Sequence, residues 1–280
     1  MTLGEALRAA EAYLDRKGVP RARVDAELLL ARALGLTRLE LYTQSDRPLT
    51  EAERAVGRTV LERRAAREPL AYILGDWGFR RLTLKTDARA LVPRPETESV
   101  VERCLARLAD VSNARIVDVG TGSGAIALSL AQELPGSTVT ATDISPDALE
   151  LARENAAVLG LDVDFRDASL LAGLDGPYDL VVSNPPYVLA AELPTLEPEV
   201  RDWEPQLALV DAGQTEQLAR DAQRVLDGWL VLEVHENRAA EIGELLEGLG
   251  YADVTVSLDL AGRERVVEGR WQATTQSTAQ

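Results

Sequence analysis

The densest chemistry in this 280-residue chain is the tetrapeptide Asn184-Pro185-Pro186-Tyr187, which follows the apolar run Leu180-Val181-Val182-Ser183. Two successive prolines hold the backbone extended and offer carbonyl acceptors without N–H donors. Asn184 adds a side-chain amide oxygen and Tyr187 an aromatic face. This set suits a planar, barely nucleophilic nitrogen, that of an amide or an aromatic amine. The Asn184 side-chain oxygen and the Pro185 carbonyl accept its two hydrogens and turn its lone pair toward an electrophile, while Tyr187 packs on the planar group. No strong base is needed before attack, because the proton leaves once the nitrogen is cationic. All four residue types are also common in turns, so the weight rests on context: a buried strand ahead and a glycine-rich turn about sixty residues upstream.

That turn is Gly120-Thr121-Gly122-Ser123-Gly124, between the apolar Val117-Asp118-Val119 and a helical stretch from Ala125. Glycines let the backbone approach a ligand closely, and a helix N-terminus presents free N–H groups to a polar one. The spacing is G-x-G-x-G and not the G-x-G-x-x-G of dinucleotide enzymes. About twenty residues on, at the end of the next strand, Asp143 in Thr142-Asp143-Ile144-Ser145-Pro146 can accept hydrogen bonds from the two ribose hydroxyls of a nucleoside. Capping of the following helix by Asp143 or Ser145 is compatible with that role. Together these motifs narrow the ligand to an adenosine-containing cofactor, and Asn184 to Tyr187 favour a methyl donor over a nicotinamide. Asp167, in Phe165-Arg166-Asp167-Ala168, either reaches an adenine amino group or is a loop residue.

Positioning these groups requires elements in the right order. Short apolar runs predict strands at Arg115 to Val119, Thr138 to Thr142, Val163 to Arg166, Asp179 to Ser183 and Trp229 to Val234. Helical periods predict helices at Ala125 to Leu134, Pro146 to Leu159, Glu216 to Leu226 and Ala239 to Leu249. The alternation predicts an α/β fold with a mostly parallel sheet covered on both faces, closed by an antiparallel pair at Tyr251 to Ser257 and Glu264 to Arg270. A helix from about Glu96 to Leu108 precedes it, after the extended Leu91-Val92-Pro93-Arg94-Pro95. From Leu3 to about Arg67 the period is helical, with Gly18 and Gly35 as stops and Thr50 with Glu53 as a capping box, which predicts a small helical bundle, either a partner-binding domain or a scaffold. Between Asp76 and Asp87 the period becomes two, which predicts a linking β-hairpin. The expected domains are therefore 1–75, 76–90 and 91–271, with a disordered tail at 272–280.

Charge limits the partners. The chain carries 46 acidic and 30 basic residues, a formal net charge of -16, and no basic stripe to offset it, so direct binding to a nucleic-acid backbone is not expected. One cysteine, Cys104, and one histidine, His235, exclude an intrachain disulfide and the usual zinc set, so no metal is expected. Cys104 reads as core packing and His235 as structural. No targeting segment or membrane-length apolar run stands out, so the expectation is a cytoplasmic protein.

Over nearly its whole length the chain resembles the N(5)-glutamine methyltransferases of peptide chain release factors, the PrmC (HemK) family. The matching stretches are Pro69 to Gly75, Leu91-Val92-Pro93-Arg94-Pro95-Glu96-Thr97-Glu98, Val117 to Leu128, Asp143 with Ala148, Leu149 and Ala152, Asp179 to Tyr187, and Asp259 to Arg265. Asn-Pro-Pro-Tyr is shared with adenine methyltransferases; Leu91 to Glu98 is more specific to the glutamine enzymes.

The resemblance implies a Rossmann-like class I methyltransferase domain with a seven-stranded sheet and a helical N-terminal domain that helps hold the release factor. It implies transfer from S-adenosyl-L-methionine to the glutamine of a Gly-Gly-Gln motif in class 1 release factors; a monomer is expected. Gly120, Thr121, Gly122, Ser123 and Gly124 would contact the methionine part, Asp143 the ribose, Asp167 and Ala168 the adenine. Asn184, Pro185, Pro186 and Tyr187 would hold the glutamine, with Asn184, Pro185 and Tyr187 catalytic and Asn184 also beside the cofactor. Arg94, Pro95 and Glu98 would sit near the pocket. Many relatives carry an aromatic residue at the position of Ala168, and Glu233-Val234-His235-Glu236-Asn237 departs from the usual Glu-Ile-Gly. Alternatives are an adenine-N6 methyltransferase of nucleic acid, a glutamine methyltransferase of a ribosomal protein, and a non-catalytic adaptor.

Overall fold

Three threonines start helices in the N-terminal region by the same exchange. Thr2, Thr37 and Thr50 each accept the backbone N–H of the glutamate three residues on, and Glu5, Glu40 and Glu53 return a carboxylate to the threonine N–H. Each box satisfies donors that a helix start otherwise leaves without partners. In the computed structural model, which describes residues 1–273, these boxes begin α1 (Leu3–Arg16), α3 (Arg38–Thr43) and α4 (Glu51–Ala65); α2 (Ala22–Leu34) and α5 (Leu70–Leu74) complete the series. Their apolar faces meet in a core that includes Leu3, Leu14, Leu29 and Leu41.

This compact unit comprises residues 1–76 together with 196–203. The later segment falls within the 91–271 expected for the catalytic domain, and the structure assigns it to the first unit instead. Arg64 explains its attachment: its guanidinium donates to Asp25 and Glu199, each at 2.7 Å, and Arg67 donates to both oxygens of Glu199. Burial works against the Glu199 charge, but the two arginines outweigh it and hold the carboxyl below its usual range.

The second unit, residues 77–195 and 204–280 within the described range, carries the sheet. In chain order it holds β1 (Asp76–Phe79, begun at the last residue of the first unit), β2 (Leu82–Lys85), α6 (Thr97–Arg107), β3 (Arg115–Val119), α7 (Ala125–Glu133), β4 (Thr138–Asp143), α8 (Pro146–Leu159), β5 (Asp164–Asp167) and β6 (Tyr178–Ser183). The short α9 (Pro198–Arg201) belongs to the first unit. Then come α10 (Gln214–Ala222), β7 (Leu226–Glu233), α11 (Ala239–Gly248), β8 (Ala252–Leu258) and β9 (Glu264–Trp271). The disordered tail expected at 272–280 lies, from residue 274 on, outside the described residues.

Strands β1 and β2 form the hairpin, and a seven-stranded sheet has the order β5-β4-β3-β6-β7-β9-β8. Pairing is parallel except that β9 runs antiparallel to both its neighbours. Alternation sorts the sheet residues: Ile116, Leu180, Val182, Val231 and Val266 enter one core, Val117, Val181, Leu230, Leu232 and Val267 the other. Cys104 packs in the first of these, as expected. The chain moves outward from β3 in one direction and from β6 in the other. That reversal opens a crevice at the carboxyl ends of β3, β4 and β6, where open α/β sheets bind ligands.

One boundary differs from expectation. The helix predicted to reach Leu226 ends at Ala222, and the strand predicted from Trp229 begins at Leu226, paired with Tyr178. Val225 and Leu226 are core residues in either conformation, so their apolarity does not discriminate. Gly228 decides it: a Cβ there would fall 2.0 Å from the Asp179 carbonyl oxygen, so this segment lies flat against β6.

Candidate active site

The crevice contains a cavity of about 470 Å³, within the range of small-molecule sites. All the residues lining it belong to the second unit. Its floor is the turn after β3, whose backbone is fixed from three sides. Gly120 and Thr121 donate to the Thr142 carbonyl at 2.8 and 2.9 Å. The Gly122 N–H donates to Asp143 at 2.9 Å, and Asn155 donates to the Ser123 carbonyl while accepting the Lys85 N–H. Gly120 has φ +70° and a Cβ there would meet nothing within 4 Å, so the turn leaves open space on its cavity side.

Asp143, at the end of β4, accepts the Gly122 N–H on one oxygen and the Ser145 N–H on the other, both at 2.9 Å. Each oxygen keeps acceptor capacity for a further hydrogen bond. Burial nonetheless raises its carboxyl above the usual range, against backbone donors that lower it. Ser145 also caps α8, the capping role expected at this corner.

Asp118 was not singled out from sequence, although a carboxylate inside an apolar strand is a signal in itself. It is fully buried and accepts the Thr121 hydroxyl at 2.7 Å and the Ala127 N–H at 3.1 Å, tying the turn to α7. Burial pushes it up to about 7.

The β6 end supplies the other wall. Ser183 donates to the Val119 carbonyl at 2.7 Å, which docks this end onto β3, and Asn184, Pro185 and Pro186 then line the cavity. The Asn184 side-chain amide donates to Thr97 Oγ1 at 3.2 Å, and the Thr97 hydroxyl donates to Glu233 Oε2 at 2.7 Å. Tyr187 Oη lies 3.5 Å from Glu233 Oε1. Glu233 ends β7 and is buried, which pushes its carboxyl up to about 7; the Thr97 hydroxyl and Arg265 oppose that rise and Glu96 adds to it. Burial, then Glu233, pushes the Tyr187 phenol up to about 12.

The cavity wall therefore brings together Gly120, Thr121, Gly122, Ser123, Asp143, Ala168, Asn184, Pro185 and Pro186 of the expected set. It does not include Gly124, Asp167 or Tyr187. Gly124 starts α7 with φ +86°, and a Cβ there would lie 2.9 Å from Leu128, so this glycine serves helix packing. Asp167 is exposed at the edge strand, and Ala168, Ser169 and Leu170 reach the cavity instead. Tyr187 is half-buried beside Glu233, its ring 6.0 Å from that of His235.

Of the residues expected nearby, Arg94 lines the cavity and donates to both oxygens of the buried Glu204, 2.8 and 2.6 Å. Glu98 instead accepts the Arg80 N–H at 3.0 Å, holding the hairpin turn where Arg80 has φ +49°.

The donor set fits S-adenosyl-L-methionine. Its lining combines the Asp143 carboxylate, open space over the glycine turn, and Asn184 with the polar partners Thr97 and Glu233 behind it.

Two family models match: the PrmC N-terminal domain over residues 5–75 and the methyltransferase small domain over residues 101–195. A release factor glutamine methyltransferase of Deinococcus radiodurans is 46% identical over 278 residues, 96% of this chain and 99% of that one. One from Chlorobaculum tepidum is 42% identical over 272 residues, 91% and 92% of the two chains. A solved methyltransferase structure from Pyrococcus furiosus aligns with a TM-score of 0.51 at 19% identity, over 68% of this chain and 89% of that one, a likeness of fold.

A sheet of this order, with its ligand crevice at the switch point, defines a Rossmann-like class I methyltransferase. Within that class, the chain belongs to the release factor glutamine methyltransferase family.

Proposed function

We propose that this protein methylates the side-chain amide nitrogen of the glutamine in the Gly-Gly-Gln motif of class 1 peptide chain release factors, using S-adenosyl-L-methionine and releasing S-adenosyl-L-homocysteine. The observation that carries the reading is one cavity lined both by the glycine turn with Asp143 and by Asn184, Pro185 and Pro186. When bound, the cofactor supplies an electrophilic methyl group. Gly120, Thr121, Gly122 and Ser123 hold its amino-acid part and Asp143 its ribose, while Ala168 stands at the adenine end. Asn184 Oδ1 and the Pro185 carbonyl accept the two hydrogens of the glutamine amide and orient its nitrogen, which is how a weak nucleophile gains reactivity by placement. Tyr187 backs this wall.

Residues 1–75 would hold the release factor, residues 76–90 would link the parts, and residues 91–271 would carry the transfer. The net charge of -16 disfavours a nucleic-acid substrate, for which the same nitrogen chemistry would otherwise serve. No helix among the described residues is long and apolar enough to cross a membrane. A protein that modifies translation factors would work in the cytoplasm, and we expect a monomer.

The test supplies purified protein with a donor labelled in its methyl group and either intact release factor, ribosomal protein or double-stranded DNA. Label is expected on the release factor. Label on DNA or ribosomal protein, with none on the factor, would overturn the proposal.

A further inference from the structure

Asn184 can accept from a substrate amide only if its own amide is turned the right way. Flipped by half a turn, it would present N–H donors to the N–H donors of the glutamine, and the site would repel the group it must orient. The two orientations have nearly the same shape, so packing alone does not choose between them. The choice must come from hydrogen bonding.

We infer that Thr97 and Glu233 are positioning residues that set the orientation of Asn184 through a directional hydrogen-bond relay. The inference rests on the proposed amide-nitrogen chemistry. Ionised Glu233 is an acceptor only, and Thr97 owns a single hydroxyl hydrogen. At 2.7 Å from Glu233 Oε2 that hydrogen is committed to the carboxylate. Thr97 Oγ1 then has only lone pairs left for Asn184, at 3.2 Å, so the Asn184 group facing it must be the NH2. Its oxygen is thereby assigned to the opposite side, toward the substrate position.

The relay is built from three distant parts of the chain. Asn184 follows β6, Glu233 ends β7 beside it, and Thr97 is the first residue of α6. Thr97 and Glu233 are 5% and 1% exposed, so water competes little for either bond. Tyr187 Oη lies 3.5 Å from the second oxygen of Glu233, a long and weak contact. Tyr187 therefore stands beside the relay, off the cavity wall.

The test compares Thr97→Val, which keeps the shape and removes the hydroxyl, with Thr97→Ser, which keeps the hydroxyl. We expect Thr97→Val to lower kcat by about tenfold to a hundredfold, as loss of one orienting hydrogen bond does. KM for release factor and Kd for cofactor should stay within about threefold, and Thr97→Ser should recover most of kcat. Equal losses in Val and Ser variants, or an unchanged kcat in Val, would overturn the relay. If Thr97→Val does not fold, Glu233→Gln is measured instead: a fall in kcat with steady KM is expected, and an unchanged kcat overturns the inference.

A readout independent of turnover separates this inference from the proposed function. The side-chain amide signal of Asn184 in a 15N NMR spectrum, assigned with Asn184→Ala, should exchange slowly in the parent and faster in Thr97→Val. If the parent fails to methylate release factor but shows this protection, the function is wrong and the relay stands. Absence of any Thr97 effect on that signal refutes the relay even in an active enzyme.

Discussion

Acidifying the reaction should slow methyl transfer through one buried carboxyl. The substrate amide does not ionise in the accessible range, and the relay from Glu233 through Thr97 to Asn184 works only while Glu233 is an acceptor. Burial pushes Glu233 up to about 7, and the groups bearing on it are Thr97, Tyr187, Arg265 and Glu96. Its ionised form therefore predominates above that pH and is lost below it. One unit below, only about one molecule in ten keeps the carboxylate, so the single-turnover rate should drop about tenfold between pH 8 and pH 6. Protonated Glu233 can donate to Thr97, which frees the Thr97 hydrogen for Asn184 and reverses the relay.

The assay is rapid-quench methylation of release factor at saturating cofactor, from about pH 5.5 to 8.5, with Glu233→Gln in parallel. Glu233→Gln should run slower at high pH and lose the limb near pH 7. A flat parent profile, or the same limb in both proteins, would refute the reasoning; the second outcome would pass attention to Asp118, also pushed up to about 7. Stability should follow the opposite sign. A carboxyl raised in the folded state favours folding while it is protonated, so the contribution is full below its unfolded pKa and lost as pH rises through about 7. For Glu233 the difference is on the order of 3 to 4 kcal/mol at most, at about 1.4 kcal/mol per pH unit, and thermal melting of parent and Glu233→Gln at pH 5 and pH 8 would show it.

Two further substitutions probe the cavity walls. Asn184→Ala removes one of the two proposed acceptors and should cost about a hundredfold to a thousandfold in kcat, the range for loss of one preorganised group, with cofactor affinity kept within several-fold; calorimetric titration and steady-state rates separate the two. Asp143→Ala should weaken cofactor binding by about a hundredfold or more, since hydrogen bonds to a charged group contribute about 1.5–3 kcal/mol each, and a Kd within about threefold of the parent would remove Asp143 from the ribose site.

Local pattern carried the parallel sheet, the glycine turn and the Asn184 to Tyr187 corner, because each depends on neighbours a few residues apart. Period two and buried apolar runs placed β3, β4 and β6 within a residue or so of their observed bounds. At Val225 and Leu226 the same signal failed, because an apolar pair fits a helix end and a strand start equally well, and only the flat approach of Gly228 to Asp179 decides. The relay was invisible for another reason. Thr97 looked like a helix start and Glu233 like a strand end, and nothing in their own neighbourhoods says that 136 residues of separation close to 2.7 Å. Arg64, Arg67 and Glu199 pose the same problem: two arginines at the end of α4 and an acid in α9, 132 and 135 residues away, become partly buried partners only when the fold joins them. Long-range pairing of charges has no period to read.

We propose that this site methylates a glutamine amide of a release factor. Peptide mass spectrometry of release factor treated with the purified protein and donor tests it most directly. A single added methyl group on the side-chain nitrogen of the Gly-Gly-Gln glutamine is the predicted result. An unmodified glutamine, from a preparation that binds the cofactor and a factor that is intact, would contradict the account.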